Sequence, residues 1–212
     1  MRQKPMAVAA MVIAQAVALA ACSTPPVPAD HFYRLNPAAP AANDGGPAIA
    51  GSLAVARPRT DGLASQRPLL FSERERPFEL KQMTYHYWTD SPSRLLQDVL
   101  VEALARAGTA ATVFAEQPQR AAGCRLDGEI RRFEHVIGGG DPPVALIEVD
   151  FRLERSNDHG TVFERVYRVE QPAAEDSMDA TVQAFDTALA AIIARLVADL
   201  AGAQPQCPAP AA

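Results

Sequence analysis

The side chains with the greatest catalytic or metal-binding potential in this sequence are three cysteines and four histidines. The cysteines lie far apart, at positions 22, 124 and 207, and no C-x-x-C pair is present. A zinc site or a dithiol redox centre needs such ligands close together. The four histidines are His31, His86, His135 and His159. They are isolated from one another and from the cysteines, although carboxylates lie beside some of them. The sequence therefore predicts no metal site and no redox cofactor.

Carboxylates alternate with arginines in one segment of the chain, at Glu148, Asp150 and Glu154. Two carboxylates on one strand face could act as a general acid and a general base. Because Arg152 and Arg155 are interleaved with them, the pattern favours a solvated sheet face instead. The sequence also lacks the G-x-S-x-G, G-x-x-x-x-G-K-[ST] and H-E-x-x-H motifs. We therefore predict a protein without enzymatic activity or catalytic residues.

The first 22 residues predict export and lipid attachment. Arg2 and Lys4 precede an apolar stretch over residues 6–21. A stretch of this length is typical of a signal peptide, and the alternative is a short N-terminal transmembrane anchor. The stretch ends in Leu19-Ala20-Ala21-Cys22, which resembles a bacterial lipobox. The resemblance implies cleavage before Cys22 and acylation of that cysteine, whose acyl chains would anchor the protein stably in a membrane.

The residue after the cysteine bears on which membrane holds the anchor. In enterobacterial lipoproteins an aspartate at this position signals retention in the inner membrane, whereas here Ser23 follows Cys22. The resemblance therefore implies an outer-membrane lipoprotein that faces the periplasm. The covalent lipid on Cys22 is the one attached group that the sequence predicts, and no cofactor is expected.

Cys124 and Cys207 remain once Cys22 is lipidated. An even remainder in an oxidising compartment is what a single disulfide leaves, so we predict that these two cysteines pair. The alternative is a buried thiol at Cys124 within a strand and a free thiol at Cys207 in the tail. In both cases the role is structural rather than catalytic.

An aromatic run, Tyr85-His86-Tyr87-Trp88, contains the only tryptophan and two of the four tyrosines. Clusters of this kind can anchor a protein interface or a lipid. Tyr85, Tyr87 and Trp88 are therefore our candidates for a partner interface. The alternative is that Trp88 packs the start of the first helix against the sheet while the tyrosines border a strand.

Two helices and a series of strands must position these residues. The first helix begins with Ser91 as its N-cap and Pro92 as its first residue, and Gly108 ends it. The second covers residues 178–200. Residues 57–66 read as a loop, and strands are predicted at 31–35, 49–56, 69–71, 78–83, 85–88, 111–115, 124–137, 145–153 and 161–170. The apolar phase of strand 124–137 changes, which predicts a β-bulge near Arg131-Arg132.

Length and composition predict one folded domain. The chain has 212 residues, of which 48% are hydrophobic and 21% charged, so it can bury a core. Its net charge of −5 makes nucleic acid an unfavourable partner. We assign residues 1–21 to a signal peptide, 22–29 to a tether, 30–202 to the domain and 203–212 to a disordered tail.

The order of the elements predicts the fold class. Without the three short strand candidates between residues 69 and 88, the order β, β, α, β, β, β, β, α places two amphipathic helices with one mostly antiparallel sheet. We therefore predict an α+β fold, a two-layer sandwich with a mostly antiparallel sheet and two amphipathic helices.

Several segments together resemble a known family. They are the lipobox at Cys22, Phe32-Tyr33-Arg34-Leu35, the strand over 49–58 and the aromatic run where it leads through Thr89-Asp90-Ser91-Pro92 into the first helix. They look like the ABC-type transport auxiliary lipoproteins, the lipoprotein partners in paraquat-inducible and MCE-type lipid transport systems. The similarity covers about residues 30–200, and the junction between the aromatic run and the helix is its most specific part.

The resemblance implies a non-catalytic subunit that docks the transport complex at the outer membrane. Its partners would be an MCE-domain protein and, through it, an inner-membrane ABC transporter, and the subunit could form a homo-oligomeric ring. Two alternatives stay open. The domain could shield a lipid in its own apolar groove, or it could be a lipoprotein chaperone for an outer-membrane β-barrel.

Overall fold

The computed structural model describes residues 27–42 and 45–207. Two α-helices lie in this part of the chain, α1 (Pro92–Arg106) and α2 (Met178–Ala203), together with a short 3-10 helix at Gly62–Ser65. The strands are β1 (His31–Tyr33), β2 (Ile49–Val55), β3 (Pro68–Glu73), β4 (Arg76–Trp88), β5 (Ala110–Ala115), β6 (Cys124–Ile137), β7 (Val144–Arg155) and β8 (Thr161–Pro172).

The eight strands form one mixed sheet. Its strand order is β1-β4-β3-β6-β2-β5, and β7 extends it from β6 and pairs in turn with β8. The antiparallel ladders β6–β7 and β7–β8 are the longest, and β3–β4 is a shorter antiparallel ladder. The ladders β1–β4, β2–β5, β2–β6 and β3–β6 are parallel and also short. The prediction of an α+β fold with a mostly antiparallel sheet and two helices is confirmed, and the two-layer arrangement stays a prediction.

The bulge predicted in β6 is confirmed. The register between β6 and β7 shifts between Ile130 and Arg132, where one strand carries an extra residue. Cys124, Leu126 and Ile130 are buried before the shift, and Phe133 and His135 are buried after it. The extra residue therefore keeps side chains of opposite sequence parity on the same buried side of the sheet.

The helices begin and end close to their predicted bounds. Ser91 is the N-cap of α1 and Pro92 its first residue, although the Ser91 side chain makes no capping hydrogen bond. Gly108 follows the helix with a φ of 64°, a left-handed value that suits glycine. The N-cap of α2 is Ser177, whose hydroxyl accepts a hydrogen bond from the Ala180 N–H at 3.2 Å.

The core lies between the helices and the sheet. Helix α2 packs on β7 and β8, while α1 packs on β5 and β2 and also contacts α2. The predicted apolar stripe of α2 supplies fully buried side chains: Phe185, Leu189, Ile192, Ile193, Leu196 and Leu200. From α1 the buried apolar side chains are Leu96, Leu100, Ala103 and Leu104. Neither helix in this part of the chain combines the length and apolar character of a membrane span.

Residues 57–88 differ most from the prediction. The strands predicted at 78–83 and 85–88 are one strand, β4, that continues through an irregularity. The predicted loop at 57–66 contains the short 3-10 helix, and Arg59 forms a bridge to Glu129 of β6. Local composition did not reveal either feature, because both depend on neighbours that are distant in the sequence.

Candidate functional site

The aromatic run lies at the end of β4, where a short parallel ladder joins that strand to β1. The ladder pairs His31 with His86, Phe32 with Tyr87, and Tyr33 with Trp88. Because successive residues of a strand point to opposite faces, the two sides of this sheet edge carry different side chains. One face carries Trp88 with both histidines and Tyr33, and the other carries Phe32 and Tyr87.

Trp88 is a core residue. Its side chain is 1% exposed, and its ring meets Phe133 of β6 and Phe185 of α2 edge-on, with centroid distances of 5.4 and 5.3 Å. Such edge-to-face contacts are favourable for aromatic rings. The prediction that Trp88 forms part of a partner interface is therefore wrong, because packing against these two rings removes it from the surface. Trp88 does pack against the sheet, as the alternative stated, but its aromatic contact from a helix is with the second helix and not with the start of the first.

Phe32 and Tyr87 form a partly exposed surface on the opposite face. Phe32 is 55% exposed and stacks on Tyr87 with ring centroids 5.6 Å apart. The guanidinium of Arg67 lies 5.3 Å from the Phe32 ring centroid, within the range of a cation–π contact. We call Phe32, Tyr87 and Arg67 the edge patch. Sequence reasoning missed Phe32 and Arg67 in this surface, because no local pattern indicates that β1 pairs with β4.

Tyr85 lies at the irregularity in β4. The β3–β4 register pairs Leu70 with Gln82 but Pro68 with Tyr87, so β4 carries extra residues between these pairs. Tyr85 has a φ of 65° there, a left-handed conformation that is uncommon for residues other than glycine. Its side chain is half-buried, as is that of Tyr87. A partner role for these two tyrosines stays a prediction.

His86 and Tyr33 attach β1 to the sheet on the inner face. The Tyr33 hydroxyl lies 2.9 Å from Nδ1 of His86, and the His31 ring stacks on the His86 ring at 5.2 Å. Burial lowers the pKa of His86 and the neighbouring His31 lowers it further, while burial raises the pKa of Tyr33 with a smaller contribution from Asp179. His86 and Tyr33 are therefore both neutral at pH 7, and the cluster is suited to holding the strand in place.

The structure brings Cys124 and Cys207 together as a disulfide. Their Cα atoms are 5.3 Å apart, within the usual range for a bridge. Cys124 begins β6 and is fully buried, and Cys207 follows α2. The bond would hold the segment after α2 against the sheet, and its formation in the mature protein stays a prediction.

A cleft of about 700 Å³ opens beside β2 and β5. Its apolar lining includes Ala54 and Ala122, which form a small cluster with Phe114 that is separate from the main core. Charged side chains also line it: Arg57, Glu116, Arg120, Arg125, Glu154 and Arg155. Because these charged side chains interrupt its apolar surface, the cleft is not a continuous apolar groove of the kind that an acyl chain needs.

Two of the three alternating carboxylates of β7 are engaged in ion pairs. Asp150 pairs with Arg131 at 2.7 Å and Glu148 pairs with Arg168 at 2.9 Å. The side chains of Asp150 and Glu148 are 17% and 20% exposed, so they lie on a partly solvated face. Carboxylates paired with arginines in this way are not placed to work as an acid and base couple.

The histidines and carboxylates of residues 27–42 and 45–207 contain no group of three or more ligands that could hold a metal ion. His135 is the most deeply buried histidine, and its Nε2 lies 3.4 Å from the Thr181 hydroxyl. Burial is the main cause that lowers the pKa of His135 to about 4, with Asp176 acting in the opposite direction. Its surroundings are those of a core side chain.

Cys22 lies outside the described residues, together with the predicted signal peptide and most of the tether. The predicted tail is divided: α2 continues to Ala203, residues up to Cys207 are described, and residues 208–212 are outside. Lipidation of Cys22 therefore stays a prediction from the lipobox.

Comparisons with known proteins give a family and a shared fold. A family model described as ABC-type transport auxiliary lipoprotein component matches residues 33–197. Protein XCC0632 from Xanthomonas campestris, assigned to the family model DUF330, has a TM-score of 0.71 at 25% identity, with 82% of this chain and 96% of that chain covered. An uncharacterised protein has a TM-score of 0.60 at 15% identity, with 82% and 98% covered, which shows a shared fold. No protein with a curated description matches this chain.

Proposed function

Because this chain belongs to the family of ABC-type transport auxiliary lipoprotein components, we propose that it docks an intermembrane lipid transport complex at the outer membrane. The family match over residues 33–197 carries the proposal. The family description supports two parts of it directly: a lipid anchor and association with an ABC transport system. The remaining parts concern the membrane, the contacting partner and the absence of catalysis.

The anchor in this proposal is the lipid on Cys22. Export, cleavage before Cys22 and acylation would leave a mature protein whose first residue carries the acyl chains, and more than one chain gives a stable anchor. Ser23 in place of an aspartate favours transfer to the outer membrane. The domain would then face the periplasm on a short tether over residues 22–29.

The partner in this proposal is an MCE-domain protein that extends from an inner-membrane ABC transporter. A docking subunit needs a stable surface and an anchor but no catalytic group. The arginine-paired carboxylates of β7 and the buried His135 agree with this role, because their contacts are structural. A ring of several copies around the partner stays a part of the proposal.

The packing of the core supports docking over lipid carriage. A carrier would need an apolar groove large enough for acyl chains. The space between the helices and the sheet is instead filled by large side chains that are at most 1% exposed, among them Trp88, Phe151 and Phe185. The cleft beside β5 mixes charged side chains with apolar ones, so it does not offer an acyl chain an uninterrupted apolar surface.

Capture from crosslinked envelopes tests the proposal. The tagged, lipidated protein is purified after crosslinking, and the recovered proteins are identified by mass spectrometry. We expect an MCE-domain protein, accompanied by subunits of an ABC transporter. The Cys22→Ser variant is the matched control, since it retains the folded domain but lacks the anchor, and we expect it to recover less of the partner.

The two alternatives predict different eluates. A chaperone would recover an outer-membrane β-barrel protein instead of an MCE-domain protein. A carrier would recover stoichiometric lipid with no transport subunit. Either result would replace the docking proposal.

A further inference from the structure

The edge patch lies where the folded domain begins. Phe32 is the second residue of β1, the first strand of the domain, and only the last three residues of β4 pair with that strand. The chain therefore enters the domain from the Cys22 side and reaches the patch at once. Phe32 is 55% exposed, and Arg67 beside it is also exposed.

The predicted anchor is close to this patch along the chain. Phe32 lies ten positions after Cys22. A flexible chain of that length spans about 17 Å on average, and an extended proline-rich chain spans about 31 Å. A domain of this size is about 40 Å across. The anchor therefore holds the edge patch closer to the lipid headgroups than it holds any later strand of the domain.

We propose that the edge patch of Phe32, Tyr87 and Arg67 rests on the phospholipid surface that holds the Cys22 lipid. This inference depends on the lipid anchor of the proposed function, and it adds the orientation of the domain on the membrane. The occupant of the patch is the headgroup layer of the bilayer rather than a protein.

The chemistry of the three side chains fits that layer. Aromatic rings are favoured at the boundary between lipid and water, where an apolar ring and a polar edge are both satisfied. The Tyr87 ring stacks on Phe32 and carries a hydroxyl, so the pair provides both an apolar ring surface and a polar group. The Arg67 guanidinium, 5.3 Å from the Phe32 centroid, can donate to lipid phosphates. Its Nε also donates to the Trp88 carbonyl at 3.1 Å, which holds the side chain near the patch.

Phe78 provides a matched control. It is on the same strand, β4, and is fully exposed, more so than Phe32. It lies nine residues before Tyr87, about 30 Å along an extended strand, close to the β3–β4 turn. If exposure alone brought an aromatic ring to the bilayer, Phe78 would be favoured over Phe32.

Quenching by brominated lipid tests the proposal. The lipidated protein, as the Phe32→Trp or the Phe78→Trp variant, is placed in phosphatidylethanolamine and phosphatidylglycerol vesicles with or without brominated acyl chains. Bromine quenches tryptophan that it contacts. The buried Trp88 gives the same background in both variants, and the parent protein measures that background. We expect bromine to reduce the added fluorescence of Phe32→Trp and to leave that of Phe78→Trp unchanged.

The outcomes separate the patch from the anchor. The protein must carry acyl chains and float with the vesicles. Equal quenching of its two variants, or quenching of neither, would then overturn the proposal that the edge patch rests on the membrane, and would leave the proposed function intact. A parent protein whose intact mass shows no acyl chains would overturn both the patch and the anchor.

Discussion

Lowering the pH from 7 to 5 should destabilise the domain through His135. This side chain is 4% exposed, and burial is the main cause that lowers its pKa from 6.5 to about 4, while Asp176 acts in the opposite direction. Its Nε2 lies 3.4 Å from the Thr181 hydroxyl, and its Nδ1 has no hydrogen-bond partner. A proton on this ring is therefore poorly solvated in the folded state.

The two pKa values fix the sign and the size of the effect. The unfolded chain binds the proton more readily, because the folded pKa is the lower one. The stability contributed by neutral His135 is therefore complete above pH 6.5 and is lost as the pH falls toward about 4. Linkage of these values gives a loss of about 2 kcal/mol in unfolding free energy between pH 7 and pH 5.

Urea denaturation at both pH values measures this loss, with the fluorescence of the single tryptophan as the signal. His135→Asn should remove about 2 kcal/mol of the pH dependence, whatever its own effect on stability at pH 7. His159→Asn is the control, because His159 is exposed and its φ of 56° is one that asparagine tolerates. If the wild type and His135→Asn lose the same stability on acidification, the reasoning about His135 is refuted.

Four further changes test the packing. Trp88→Ala should cost about 3–5 kcal/mol in unfolding free energy, since it opens a cavity between Phe133 and Phe185. Urea denaturation followed by circular dichroism measures this cost, with the exposed Phe78→Ala as the control. A cost no larger than that of Phe78→Ala would place Trp88 outside the core. Cys207→Ser should cost up to about 4.5 kcal/mol, because it opens a covalent loop with a sequence separation of 83; two free thiols in the denatured wild type would contradict the pairing. Gly128→Ala should cost about 1–3 kcal/mol, since a Cβ there would meet Phe151 at 3.2 Å and Pro58 at 3.3 Å. Gly202→Ala in α2, with nothing within 4 Å, should instead stabilise by about 0.5–1 kcal/mol, and equal denaturation midpoints for the two glycine variants would oppose this account.

Features that depend on local sequence patterns could be predicted from the sequence. The bulge of β6 was visible because its apolar residues change parity, and a buried strand must keep its apolar side chains on one face. Ser91, Pro92 and Gly108 marked the ends of α1 through their own backbone preferences. The two helices and most strands follow from such signals.

Features that depend on distant partners could not be predicted. Parallel neighbours need long crossover connections, so the pairing of β1 with β4 leaves no local signal. For the same reason the sequence did not distinguish a buried Trp88 from an exposed one, since Phe133 and Phe185 are far away in the chain. The edge patch appears only when Phe32, Arg67 and Tyr87 are brought together by that pairing.

The most direct test of the docking role is the lipid and protein content of the native protein captured from envelopes. Mass spectrometry on one eluate measures both. If the protein is a docking subunit, the eluate should contain an MCE-domain protein in stoichiometric amount and no lipid beyond the acyl chains on Cys22. Stoichiometric free lipid with no transport subunit would contradict the account and favour a carrier.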